Sequence, residues 1–194
     1  MSIRLAREAD LPQILAIYAP YVLNTPYSLE YTVPTEEEFL RRFRTITSQF
    51  PWLVWEEDSK ILGYAYGSLP FTRAGYCWSG EASIYLAPEA HRKGIGKKLY
   101  MVLEEIMRLQ GYRVIYAIIT GTNETSLSFH RALGYRQTAV FPRCGYKMGQ
   151  WVDVVWMEKE LQTLQTPGIP PVSAETVVKS NRKFCDILDK MSLS

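Results

Sequence analysis

The stretch His91-Arg92-Lys93-Gly94-Ile95-Gly96-Lys97-Lys98 decides how this chain is read, because it joins a strand to the start of a helix. After Gly94, apolar residues return every three or four positions, at Ile95, Leu99, Val102, Ile106 and Leu109, as on an amphipathic helix. Lys97, Lys98, Glu104, Glu105 and Arg108 form its expected solvent face, and Gly111 stops it. Upstream, residues 78–86 read as a strand that Pro88 helps to end. Downstream, residues 114–119 are unbroken apolar, the pattern of a strand buried on both faces. The first N–H groups of a helix lack partners within it, and the helix dipole adds positive potential there. Glycines let an anion reach the backbone with no Cβ in the way, and Arg92, Lys93 and Lys97 strengthen the field. The segment thus reads as a diphosphate cradle, or as a tight turn with solvated lysines. It matches neither the Walker pattern nor the three-glycine dinucleotide fingerprint.

Outward from this crossover the pattern becomes that of hairpins. Residues 3–6 read as a first strand, and Asp10 as the cap of a helix carrying Leu11, Ile14, Leu15 and Tyr18. Thr35 with Glu38 is a capping-box pattern opening a helix with Phe39, Leu40 and Phe43 on one side. Residues 51–57 and 61–69 read as strands about the turn 57–60, followed by an irregular loop, 70–76. Residues 123–133 read as a short helix ended by Gly134, and 136–141 and 151–160 as two further strands. Hairpins at both ends around a strand–helix–strand crossover imply an α/β fold with a mixed sheet. A breaker run, Thr166-Pro167-Gly168-Ile169-Pro170-Pro171, then divides residues 1–162 from a tail, 163–194. Residues 173–191 of that tail carry a loose stripe of Val177, Phe184, Ile187, Leu188 and Met191, to be docked on the same domain or on a partner subunit.

With 194 residues, 22 Lys+Arg and 20 Asp+Glu, the chain has a net charge of +2 and length for one domain and a tail. No basic cluster suggests a nucleic-acid partner. The longest uncharged stretch, residues 11–29, is broken by Pro12, Pro20 and Pro26, so no membrane span is expected. The N-terminus shows no apolar signal core. Cys77, Cys144 and Cys185 and the two histidines have no metal-ligand spacing, so a reduced, cytoplasmic protein without a metal is expected.

The run Pro88-Glu89-Ala90-His91-Arg92-Lys93-Gly94-Ile95-Gly96 resembles the pyrophosphate loop of the GNAT superfamily of acyl-coenzyme A N-acyltransferases, with signature Gln/Arg-x-x-Gly-x-Gly/Ala. His91 stands at the first signature position. Four further stretches are similar to the phosphinothricin acetyltransferase branch: 80–86, 123–135 with His130-Arg131-Ala132-Leu133-Gly134-Tyr135, Gly145-Tyr146-Lys147, and Gly149-Gln150-Trp151-Val152-Asp153. The match runs in order over residues 3–161 and leaves out the tail.

The resemblance implies a mixed, splayed central sheet flanked by helices, open between the strands at 81–86 and 114–119. The pantetheine arm of acetyl-CoA would enter there and bond the strand backbone around Ile84, Tyr85 and Leu86. Its diphosphate would sit on Arg92, Lys93, Gly94, Ile95, Gly96 and Lys97. Asn123 would hold the far side of the arm, though its position also suits a helix N-cap.

An acceptor amine must lose a proton before it attacks, and Glu81 matches the family's general base. The bland reading of Glu81 is a strand carboxylate paired with an arginine. A backbone N–H of Leu86 would steady the developing oxyanion. His130 stands where many relatives place a proton-donating Tyr; it would donate or relay a proton, or be an idle histidine on a helix surface. Arg73 matches a substrate-side position, where a guanidinium fork would clamp a carboxylate or phosphinate. Tyr31 and Tyr76, with Tyr27, Phe71 and Trp78, would wall the pocket or be ordinary core, and Arg143 and Lys147 are further candidates for the anionic group.

The expected activity is acetyl transfer, by direct attack, to the amine of a small amino-acid-like acceptor of the phosphinothricin or methionine sulfoximine type. Acetylation of protein N-termini and a non-catalytic acyl-CoA-binding module are the alternatives. A homodimer is expected by family analogy.

Overall fold

The computed structural model describes residues 1–163 and 168–180. In chain order they form β1 (Ser2–Leu5), α1 (Leu11–Asn24), α2 (Glu36–Thr47), β2 (Trp52–Glu57), β3 (Lys60–Ser68), β4 (Ser79–Leu86), α3 (Ile95–Gln110), β5 (Val114–Thr120), α4 (Glu124–Ala132), β6 (Arg136–Lys147), β7 (Gln150–Glu160) and α5 (Ala174–Ser180). The seven strands make one sheet in the order β1-β2-β3-β4-β5-β7-β6. Only the β4–β5 pairing is parallel, and the two strands are joined by a crossover through α3. The sheet is mixed, as the segment order implies.

The helices lie on opposite faces of it. Tyr85 on β4 packs its ring at 4.9 Å from Tyr18 and 5.2 Å from Tyr21, both on α1. Gly96 on α3 lies so close to Ile84 and Leu86 that a Cβ there would sit 3.4 Å from each. Odd-numbered side chains of β4 therefore face α1, and even-numbered ones face α3. On the α1 face, Trp52, Tyr64, Tyr66 and Tyr85 form an aromatic layer beneath Phe39 and Phe43 of α2.

Local chemistry sets the helix ends. The Thr35 hydroxyl accepts from the Glu38 amide at 3.2 Å, and Asn123 Oδ1 from the Ser126 amide at 3.1 Å. Gly94 and Gly111 bracket α3 with φ of 78° and 106°, a left-handed backbone that glycine adopts without a Cβ penalty.

Four expectations change. Asp10 does not cap α1 with its side chain; its carboxylate takes the Arg7 amide (2.7 Å) and the Arg4 guanidinium (2.7 and 2.9 Å). Glu104 is not on a solvent face but buried, at 2.6 Å from the Lys159 ammonium on β7. Strand β5 is buried on one face only: Ile115, Ala117 and Ile119 are covered while Ile118 is 39 % exposed. On that second face neither α1 nor α2 makes a substantial contact with β5, and apolar composition does not say which faces have neighbours. Finally, β6 does not stop at Phe141; after an irregularity between Phe141 and Gly145 it pairs on to Lys147.

Helix α5 packs on α3, with Ala174 and Val177 buried and the Ala174 amide donating to the Gln49 carbonyl. Phe184, Ile187, Leu188 and Met191 of the expected stripe lie outside the described residues.

Candidate active site

The parallel pairing of β4 with β5 lasts three residues, ending with Glu81 beside Tyr116, and beyond it the two strands part. The gap is a cleft lined from both faces of the sheet. Tyr100, Asn123, Ser126 and His130 line it from the α3 and α4 side, and Tyr21, Tyr27, Ser83 and Tyr85 from the α1 side.

Which backbone groups face the gap follows from the strand register. The Ala87 amide bonds the Leu62 carbonyl across from β3, so in an antiparallel ladder Tyr85 and Ser83 also spend their backbone on β3. Even-numbered residues turn theirs toward β5. Trp78 there accepts from Arg113 at 2.8 Å, and the Ala82 carbonyl meets the Tyr100 hydroxyl at 3.1 Å. The Leu86 carbonyl accepts from the Tyr21 hydroxyl at 2.7 Å, and the Leu86 amide lies 3.4 Å from the same oxygen. Ile84, between them, presents its N–H and C=O to the cleft.

Two expectations are corrected here. Tyr85 has no backbone left for a bound arm, and its ring is part of the aromatic layer. Leu86 is a poor oxyanion partner for chemistry at Glu81, because five residues of strand separate them by roughly 17 Å and its amide already faces Tyr21.

The loop from Arg92 to Lys97 has the form of an anion site. Arg92 and Gly94 have positive φ, 61° and 78°, which folds successive amides toward one side. Among the described residues, no amide from 92 to 97 donates to a backbone carbonyl. A Cβ on Gly94 would meet nothing within 4 Å, so the space over this loop is open. Lys98, by contrast, is turned away, with its ammonium 5.4 Å from the Trp55 ring centre. Donor set, curvature and open space fit a diphosphate.

Glu81 lies on the last paired rung of β4, with its side chain toward α1. No arginine or lysine pairs with it among the described residues, so the bland reading does not hold. Burial without a counter-charge pushes its carboxyl up to about 7.

His130 is not on the surface; it is 2 % exposed. Its Nδ1 is 2.8 Å from the Ser126 carbonyl, which can only accept, so Nδ1 carries the proton. Burial keeps the ring neutral by pulling its pKa down to about 4. Nε2 then carries no proton, and the Tyr100 hydroxyl, 2.9 Å from it and 3.1 Å from the Ala82 carbonyl, has a single proton to share between these two acceptors. Within this pair the proton facing the cleft is thus on the Tyr100 hydroxyl rather than on His130 Nε2. Nothing in the sequence separates Tyr100 from its neighbours on the α3 stripe; only the return of α4 beside it does.

Around Glu81, Phe71 stacks on Trp156 (5.5 Å), lies tilted against Tyr76 (4.6 Å) and meets Tyr116 edge-on (6.2 Å), which seats the 70–77 loop on the α1 face of the sheet. Arg73 in that loop is exposed and has no ion pair among the described residues. Tyr76 is half exposed, and Tyr31 reaches across to donate its hydroxyl to the Tyr146 carbonyl at 2.6 Å. Arg143 is exposed on β6, away from the cleft lining. Lys147 is no anion site: its ammonium is buried and donates to the carbonyls of Val22 and Ser28. No group of three acidic, His or Cys side chains among the described residues can hold a metal ion.

A sheet parted beside an anion loop at a helix N-terminus defines an acyl-coenzyme A-dependent transferase. Residues 3–156 match the family model of the acetyltransferase (GNAT) domain. The chain is 36% identical over 169 residues to a phosphinothricin N-acetyltransferase of Alcaligenes faecalis, covering 85% of each. It is 37% identical over 164 residues to an L-methionine sulfoximine/L-methionine sulfone acetyltransferase of Pseudomonas aeruginosa, covering 82% of this chain and 94% of that one. Among solved structures, a GNAT superfamily phosphinothricin acetyltransferase from Sinorhizobium meliloti in complex with AcCoA superposes with a TM-score of 0.83 at 38% identity, covering 86% of this chain and 92% of that one. The chain belongs to the GNAT family of acetyltransferases. It is an acetyl-CoA-dependent N-acetyltransferase.

Proposed function

We propose that this enzyme acetylates the α-amine of a small, anionic amino-acid-like acceptor of the phosphinothricin or methionine sulfoximine type. The observation that carries this reading is the half-buried Glu81 at the head of the cleft, with no cationic partner among the described residues, beside a loop that carries the exposed Arg73 guanidinium. The relatives named for such acceptors support it.

Acetyl-CoA supplies the acyl group on a thiolate leaving group. The 92–97 amides hold its diphosphate, and Ile84 and Asn123 hold its arm. Glu81 takes a proton from the acceptor's ammonium, because a half-buried carboxyl near 7 is half ionised at the working pH. Tyr100, held by His130, offers its hydroxyl at the α3 side of the gap. Arg73 meets the acceptor's acidic group, and Tyr31 and Tyr76 stand at the rim. The catalytic unit in this reading is residues 1–162, with the segment from 163 onward an appendage.

The protein works in this reading in the cytoplasm, where acetyl-CoA is made and used, as a homodimer. Ile118 and Phe141, exposed on the part of the α1 face beyond the reach of α1 and α2, support pairing of two copies; sedimentation velocity tests it. The test of function follows free thiol release from acetyl-CoA with amino acids, methionine sulfoximine, phosphinothricin and short peptides. Turnover of the small acceptors is expected; turnover of peptides alone overturns the reading.

A further inference from the structure

Lys147 is an unusual lysine. It is 4 % exposed, on the last paired residue of β6 before the hairpin to β7. Its ammonium donates to the Val22 carbonyl at 2.6 Å and to the Ser28 carbonyl. Val22 is in the last turn of α1, where carbonyls lack intrahelical partners and the dipole favours a cation. Ser28 lies four residues beyond that helix, so one ammonium joins the end of α1 to the middle of the loop that follows.

Two neighbours of Lys147 hold the same loop. Tyr146 accepts the Tyr31 hydroxyl at 2.6 Å through its carbonyl. Gly145 leaves room for Leu29, whose methyl carbons would lie 2.9 and 3.0 Å from a Cβ at that position. Gly145, Tyr146 and Lys147 are thus a three-point clamp on residues 28–31, each by a different contact. From the other side, Tyr18 donates to Glu30 at 2.9 Å and bonds Ser28 Oγ at 2.8 Å. The clamped loop carries Tyr27, which lines the cleft on the face toward which Glu81 points.

We propose that Lys147 is a positioning residue for the acceptor, latching the 25–31 loop over the Glu81 side of the cleft through the carbonyls of Val22 and Ser28. The proposal rests on the acceptor site placed above. Burial, which pushes this ammonium below the usual lysine range, agrees with a group held for its donors rather than for solvent contact. A cation used up on two loop carbonyls is not available to a substrate. Its effect on the reaction goes through Tyr27 and Tyr31, and leaves the diphosphate loop on the far side of the sheet untouched.

Lys147→Met keeps the aliphatic stem and removes the donors. The full-length variant is compared with wild type by amide hydrogen exchange and by steady-state kinetics with acetyl-CoA and methionine sulfoximine. Exchange is expected to rise in residues 25–31 and to stay unchanged in 95–110. The KM for methionine sulfoximine is expected to rise by about tenfold or more, with kcat changed by no more than about threefold and the KM for acetyl-CoA unchanged. Lys147→Arg, which keeps the charge and two donors, is expected to fall between the two, and it supplies the same comparison if the Met variant does not fold. An unchanged acceptor KM overturns the proposal, and so does exchange that rises evenly over the whole domain. A wild-type chain that turns over no small amine ends the functional reading, whereas the exchange comparison still decides whether Lys147 holds the loop.

Discussion

The Tyr100 hydroxyl lies 2.9 Å from His130 Nε2, and the Ser126 carbonyl fixes the imidazole tautomer that makes Nε2 the acceptor. Tyr100 on α3 and His130 on α4 thus act as one unit. Tyr100→Phe is expected to lower kcat by about a hundredfold or more, as loss of a placed donor does. His130→Gln, which can still accept from the hydroxyl, is expected to lose less. Because His130 is held neutral down to about pH 4, its titration leaves no mark on a kcat/KM profile above pH 5; an acid limb that disappears in His130→Gln would contradict the tautomer assignment.

Glu81 supplies the acid limb instead. A base with its pKa raised to about 7 must lose its proton to work, so kcat/KM should rise with pH to a plateau above that value. Glu81→Gln should abolish this limb and lower kcat by about 10²–10⁴-fold. The same shift has a consequence for stability. The folded state binds this proton more tightly than the unfolded chain does, so the burden of the buried charge is absent below the unfolded value of 4.5 and fully present above about 7. Glu81→Gln should therefore raise Tm at pH 8 and leave it nearly unchanged at pH 4.5, as calorimetry would show.

Arg73 is exposed and has no ion pair among the described residues, so removing it frees no buried partner there. Arg73→Ala should raise the acceptor KM by about ten- to a hundredfold, the worth of a charge-assisted fork, and leave Tm and acetyl-CoA binding alone. Calorimetric titration with acetyl-CoA and kinetics with the acceptor separate the two effects.

The diphosphate loop should respond in the reverse sense. Gly94→Ala places a Cβ on a residue with φ of 78° and over the open side of the amides. The left-handed strain costs about 1 kcal/mol, and acetyl-CoA affinity should fall while the acceptor KM holds. Equal loss for both substrates would show that the loop does not bind the nucleotide.

Much of this was legible from short-range chemistry. The Thr35 cap, the glycines bracketing α3 and the Asn123 cap depend on residues within a few positions of each other, and they stand where the sequence places them. The parts that were not legible depend on partners far along the chain. Glu104 looks like a solvent residue until Lys159 arrives beside it, and Asp10 like a cap until Arg4 claims it. Tyr100 and Tyr21 gain meaning only from the Ala82 and Leu86 carbonyls that the parted strands expose. Lys147 has an anion-binder's chemistry in isolation and a latch's chemistry once two carbonyls close on it. The apolar run of β5 records composition, while its half-exposed state records which neighbours the topology supplies.

The gap between β4 and β5 is lined from both faces of one sheet, and this bears on the order of events. With the nucleotide entering from the α3 side and the amine from the α1 side, as proposed above, neither needs to depart before the other enters, and both can be resident when the acyl group moves. Initial-rate plots against the two concentrations should converge rather than run parallel, and each product should inhibit through its own entrance.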